Sequence, residues 1–174
     1  GEISTLTTTG DYSLNVGENN NVSGQGSIAV GDLNTASGVH SIALGSGNVA
    51  SNNDAFAAGN ANNATGTSSI ALGIGNTASE NGTVALRDGN TASGIKSVAF
   101  GRANVASGAQ STAMGYSSTA SGDTSTVMGR DNTASGTYSL STGQNNVSSA
   151  DWSTSIGFNN TASGLASLVG GQNS

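Results

Sequence analysis

The chain contains no cysteine and no proline, and only one histidine, one tryptophan, three tyrosines and three phenylalanines. Without cysteine there are no disulfides, no thiolate metal sites and no cysteine nucleophile. His40 alone cannot build a multi-histidine metal centre, so no metal or other cofactor is expected. Charge is scarce too: Asp, Glu, Lys and Arg make up 8% of the residues, against about 25% in ordinary domains. The only basic residues are Arg87, Lys96, Arg102 and Arg130, and the formal net charge is -6. That balance argues against nucleic acid and against anionic membrane surfaces as partners. No apolar run approaches the ~18 residues that cross a bilayer, and no signal peptide is read, so direct membrane insertion of this segment is not expected.

What the chain does have is repetition. Its 27 glycines, 29 serines, 21 asparagines and 19 threonines make up more than half of 174 residues. So polar a composition points to disorder unless it is periodic, and here it is. Glycine recurs every 14 residues at 17, 31, 45, 59, 73, 101, 115, 129, 143, 157 and 171, with Arg87 in the one gap. Windows of 14 residues starting at Leu6, Asn20, Asn34 and so on to Asn160 tile the chain without insertion or deletion. The consensus is N-T-A-S-G-x-x-S-I-A-L-G-x-x, seen cleanly as NTASGVHSIALGSG at 34–47. Position 1 is Asn in 10 of 12 windows, and position 4 is Ser or Thr in all.

Each seven-residue half reads as a strand of about five residues closed by a glycine-led turn, with glycine supplying positive φ. A helix is disfavoured by glycine every seventh residue and by the density of Ser, Thr and Asn. A strict period without register change favours a solenoid over a meander. The expected fold is therefore an all-β, parallel β-solenoid of 14 residues per coil and about 12 coils. It is read as one repeat domain, 1–174, truncated mid-array at both ends.

Side chains alternate across a strand, so positions 3 and 10, mostly Ala, should face inward. Asn at position 1 (Asn34, Asn48, Asn62, Asn76, Asn90, Asn104) should stack as an amide ladder. Outward, the first strand is polar (Thr35/Ser37, Thr77/Ser79, Thr91/Ser93, Thr133/Ser135). The second carries an apolar stripe: Ile28, Val30, Ile42, Leu44, Ile70, Leu72, Val84, Leu86, Val98, Phe100, Met114 and Met128. An alanine-lined interior buries little, and an exposed stripe of this length exceeds what monomers tolerate. Packing of the stripe against copies of itself resolves both problems, so a closed homo-oligomer is expected, with the trimer favoured.

The motifs S-I-A-L-G at 41–45 and 69–73, S-I-A-V-G at 27–31, S-V-A-F-G at 97–101 and S-T-A-M-G at 111–115 alternate with N-T-A-S-G at 34–38 and N-V-A-S-G at 104–108. In these the chain resembles the YadA-like head of trimeric autotransporter adhesins. Where that family carries Asn before S-V-A-I-G, this chain has Gly26, His40, Ser68, Lys96 or Gln110. The resemblance implies a homotrimer of left-handed parallel β-rolls, displayed outside a Gram-negative cell on an anchored stalk. It also implies binding of extracellular matrix proteins or cell-surface receptors.

Specificity must come from turn positions that vary between coils. Position 13 gives Asp88, Arg102, Tyr116, Arg130, Gln144 and Phe158, a column suited to Asp88–Arg102 pairing and Arg–Tyr stacking. Position 7 gives Lys96, Gln110, Thr124, Tyr138 and Trp152. Arg102, Tyr116, Arg130, Tyr138 and Trp152 are accordingly the candidate ligand-binding residues. Arg87 replaces a turn glycine, so its corner either avoids positive φ or is strained. The serines are repeat positions and the aspartates are scattered, so no catalytic constellation is read and the chain is not expected to be an enzyme. The alternatives left by the sequence are a shaft or receptor-binding fibre of a phage or virus, and an ice-binding solenoid using the T-x-S face.

Overall fold

The structure is a computed structural model that describes residues 9–174, so the start of the first window, at 6–8, lies outside the described residues. The described residues form two compact units, 9–88 and 89–174. In the first, five-residue strands β1 (Leu14–Glu18), β3 (Ile28–Asp32), β5 (Ile42–Ser46), β7 (Phe56–Asn60), β9 (Ile70–Ile74) and β11 (Val84–Asp88) stack in one parallel sheet. Between them run two-residue strands β2 (Asn21–Val22), β4 (Thr35–Ala36), β6 (Val49–Ala50), β8 (Asn63–Ala64) and β10 (Thr77–Ala78), forming a second parallel sheet.

The second unit repeats the scheme. Its short strands are β12 (Thr91–Ala92), β14 (Val105–Ala106), β16 (Thr119–Ala120), β18 (Thr133–Ala134), β20 (Val147–Ser148) and β22 (Thr161–Ala162). Its long strands are β13 (Val98–Arg102), β15 (Thr112–Tyr116), β17 (Thr126–Arg130), β19 (Leu140–Gln144), β21 (Thr154–Phe158) and β23 (Leu168–Gln172). Register advances by one 14-residue repeat at each step, as in Ile42↔Phe56 and Thr112↔Thr126. The described residues contain no helix. This is the expected β-solenoid.

The two halves of the coil are unequal, which corrects the expectation of two five-residue strands. The first half is pinched at both ends. At its start, the Asn48 N–H donates to the Asn34 side-chain oxygen (3.1 Å) instead of to a ladder carbonyl. At its end, the N–H groups of Ser37 and Gly38 both donate to the Ala50 carbonyl, at 3.0 and 3.4 Å, and the ladder stops. Two residues of regular strand remain between.

Positions 3 and 10 face inward as their alanines suggest: Ala29, Ala36, Ala43, Ala50, Ala57 and Ala64 are fully buried. The amide ladder also forms. The Asn62 side-chain N–H2 donates to the Asn48 side-chain oxygen (3.0 Å) and to the carbonyls of Ala58 (3.0 Å) and Gly73 (2.7 Å). Its own oxygen accepts the backbone and side-chain N–H groups of Asn76, both at 3.0 Å. Every polar atom of the buried amide is thus partnered, which is what makes its burial tolerable. In the second unit, Ser141, Ser148 and Ser155 stand at interior positions, and each hydroxyl donates to a backbone carbonyl (Asn146, Leu140 and Asn160).

Glycine serves two different purposes. Gly45, at position 12, has φ +114, and a Cβ there would also collide with the Gly59 carbonyl. Gly38, at position 5, has no positive φ; it is small because the Asn52 carbonyl of the next coil lies against it. The left-handed bend expected at position 5 falls instead at position 7.

Candidate functional site

The first corner spans positions 5–8. The Ser41 N–H donates to the Gly38 carbonyl (3.1 Å), closing a turn whose third residue, His40, has φ +55. The same bend recurs at Asp54, Ser68, Lys96, Gln110, Thr124, Tyr138, Trp152 and Ala166. Positive φ costs a non-glycine residue roughly 1–2 kcal/mol, and more for β-branched Thr124. The coil imposes it because, at every one of these residues but Lys96, the N–H donates to the preceding coil. The Tyr138 N–H donates to the Asp123 carbonyl and the Trp152 N–H to the Thr137 carbonyl, both at 2.9 Å.

Side chains at position 6 reinforce this corner, a feature the sequence reading missed. One carboxylate oxygen of Asp123 accepts the Ala109 N–H (3.0 Å), and one of Asp151 accepts the Thr137 N–H (2.8 Å). Asn53 does the same for the Val39 N–H at 3.3 Å. The legible signal was Asp or Asn immediately before the left-handed residue. The Tyr138 and Trp152 rings project from this corner, stacked parallel within 2°, centroids 6.2 Å apart. They are 56% and 57% exposed, so they present surface and fill no core.

The second corner spans positions 12–14. It carries Arg102, Tyr116 and Arg130, with the two guanidinium carbons 5.8 and 5.6 Å from the Tyr116 ring centroid. One ring is thus flanked by two cations, each contact worth about 0.5–1 kcal/mol at an exposed site. Arg130 also pairs through Nε with Asp131 at 3.0 Å. Phe158 continues the edge, 39% exposed.

The five candidate residues therefore do not form one patch. A five-residue strand such as Leu140–Gln144 separates the corners, placing Tyr138 and Trp152 roughly 17 Å from the Arg–Tyr column. Arg87 keeps positive φ, at +96, where the corresponding glycines have +110 to +126, so that corner is strained. His40 lies 3.5 Å from Asp54 on an exposed edge.

On the outer face of the long strands, Ile28, Val30, Ile42, Leu44, Ile70, Leu72, Val84, Leu86, Val98 and Met114 are half-buried, while Phe100 and Met128 are exposed. Leu14, Val16, Ile156 and Leu168 occupy the same two repeat positions and are exposed as well. They extend the stripe beyond the residues singled out from sequence, and their position in the window marks them. The described residues enclose no pocket, so a ligand meets this surface at open edges.

The profile of the YadA head domain repeat matches residues 8–34, 36–62, 64–86, 92–119 and 120–146. No curated protein matches the sequence. The matched segments tile most of the stacked coils, and the family is one of adhesin heads and not of enzymes. By that match, and by the fourteen-residue coils that carry it, the chain belongs to the YadA head domain repeat family.

Proposed function

We propose that this chain is the adhesive head of a surface-displayed homotrimer, built on the apolar stripe and binding matrix proteins or cell-surface receptors through its corner residues. The stripe supplies the assembly: Ile42, Leu44, Ile70 and Leu72 stand half-covered over an interior of alanine. A roll with so small a core gains much of its apolar burial from neighbours. The corners supply recognition, because the coil interior is nearly the same in every repeat.

The observation that carries the reading is the Tyr138–Trp152 pair. Elsewhere the same position is filled by Gly26, Gly82 or Ala166, so the fold has no need of large rings there.

The test is adhesion of beads coated with the chain to cultured cells and to immobilised matrix proteins. Trp152→Ala combined with Tyr138→Ala should reduce adhesion severalfold while leaving oligomer mass and Tm unchanged. Equal adhesion by the double variant and the wild type removes this pair from the binding surface.

A further inference from the structure

The rings at the first corner have a chemistry of their own. They are parallel within 2° with centroids 6.2 Å apart, so one ring partly overlies the other, and the pair cannot box in a quaternary ammonium. Their neighbours in the column are small: Thr124 precedes Tyr138 and Ala166 follows Trp152, each one coil away. The outer ring faces are therefore open. Two side chains supply only part of the ~800 Å² per partner that a protein interface takes, whereas one aromatic face matches a single sugar ring.

The surroundings are polar and acidic. Asp151 directly precedes Trp152, and the Asp123 carbonyl accepts the Tyr138 N–H. Each carboxylate spends one oxygen on a backbone N–H, of Thr137 and Ala109 respectively. That bond fixes the carboxylate, and its second oxygen keeps its acceptor capacity at an exposed edge. The basic residue of this column, Lys96, lies three coils before Tyr138.

A flat ligand with an apolar face and a rim of hydroxyl donors matches this arrangement, and a sulfated or carboxylated one is repelled by it. Ring C–H groups meet the electron-rich aromatic face, and hydroxyls donate to the aspartates. From this geometry we infer that the outer face of Trp152, backed by Tyr138, stacks on a neutral pyranose sugar, with Asp151 accepting from its hydroxyls. The inference rests on the adhesive reading of the same corner and names its ligand class.

Trp152 is the only tryptophan in the chain, so its emission reports this site directly. The full chain is titrated with cellohexaose, chitohexaose and heparin while the fluorescence is followed. The expected result is a saturable change in emission with a neutral oligosaccharide and none with heparin. Tyr138→Ala, which removes the ring that backs Trp152, should weaken that affinity severalfold with Tm unchanged. Trp152→Ala, read by saturation-transfer NMR, should abolish binding. Silence of the wild-type emission up to about 10 mM of both neutral sugars, or undiminished affinity in Tyr138→Ala, overturns the proposal. If the sugars fail while bead adhesion is still lost on Trp152→Ala, the ligand is a protein; the sugar assignment falls and the adhesive reading stands. If adhesion is also indifferent to Trp152→Ala, both fall.

Discussion

Ser118→Asn should make this protein more stable. Ser118 sits at the one described place in the second unit where the amide ladder breaks. The Asn104 side-chain oxygen still receives the Ser118 backbone N–H (3.0 Å), and the Ser118 hydroxyl accepts the Asn132 N–H (3.2 Å). That hydroxyl donates weakly in turn, at 3.1 Å to the Tyr116 carbonyl and 3.5 Å to the Gly129 carbonyl. An asparagine there takes the geometry of Asn104, whose N–H2 reaches the Asn90 oxygen (3.1 Å) and the carbonyls of Phe100 (3.0 Å) and Gly115 (2.7 Å). By analogy it donates to Asn104, Met114 and Gly129 and accepts from the Asn132 side chain. Two or three hydrogen bonds are gained net, at about 1 kcal/mol each, less the entropy of fixing a longer side chain. The sum is about 2 kcal/mol, or about 4–8 °C in Tm for a chain of this size. Thermal melts followed by circular dichroism measure it, with Asn62→Ser as the mirror variant expected to fall by a similar amount. A Tm for Ser118→Asn at or below the wild type refutes the argument that ladder bonds carry stability here.

Arg87→Gly should also raise Tm, by relief of about 1–2 kcal/mol of backbone strain at φ +96; an unchanged Tm would show the corner to be relaxed. Ile42→Asp with Leu72→Asp places carboxylates in the proposed interface, where an unpaired buried charge costs about 3–5 kcal/mol. Light scattering should then find dissociated chains, whereas an intact assembly would put the interface elsewhere.

Much of this fold was legible because the repeat never slips. Glycine every 14 residues sets the coil, alternation sends Ala36 and Ala43 inward, and Asn at position 1 declares the ladder. The unequal strands were not legible, because they follow from hydrogen bonds between coils: the Asn34 side chain and the shared Ala50 carbonyl take the N–H groups that a longer strand would have used. The left-handed corners were hidden for the same reason. Leu33, Gln110 and Trp152 carry no local preference for positive φ, yet the ladder of corner N–H groups holds them there. For the site, sequence singled out Tyr138, Trp152 and the Arg–Tyr column as the informative side chains. It did not show that a whole strand parts them, nor that Asp123 and Asp151 are fixed beside the aromatic pair by backbone bonds.

The most direct test of the account is the mass of the untagged wild-type chain by multi-angle light scattering. On the proposed function the apolar stripe over an alanine core is an interface between copies, and the account predicts a particle of three 16.8 kDa chains that holds together on dilution to nanomolar concentration. A folded particle of one 16.8 kDa chain would contradict it.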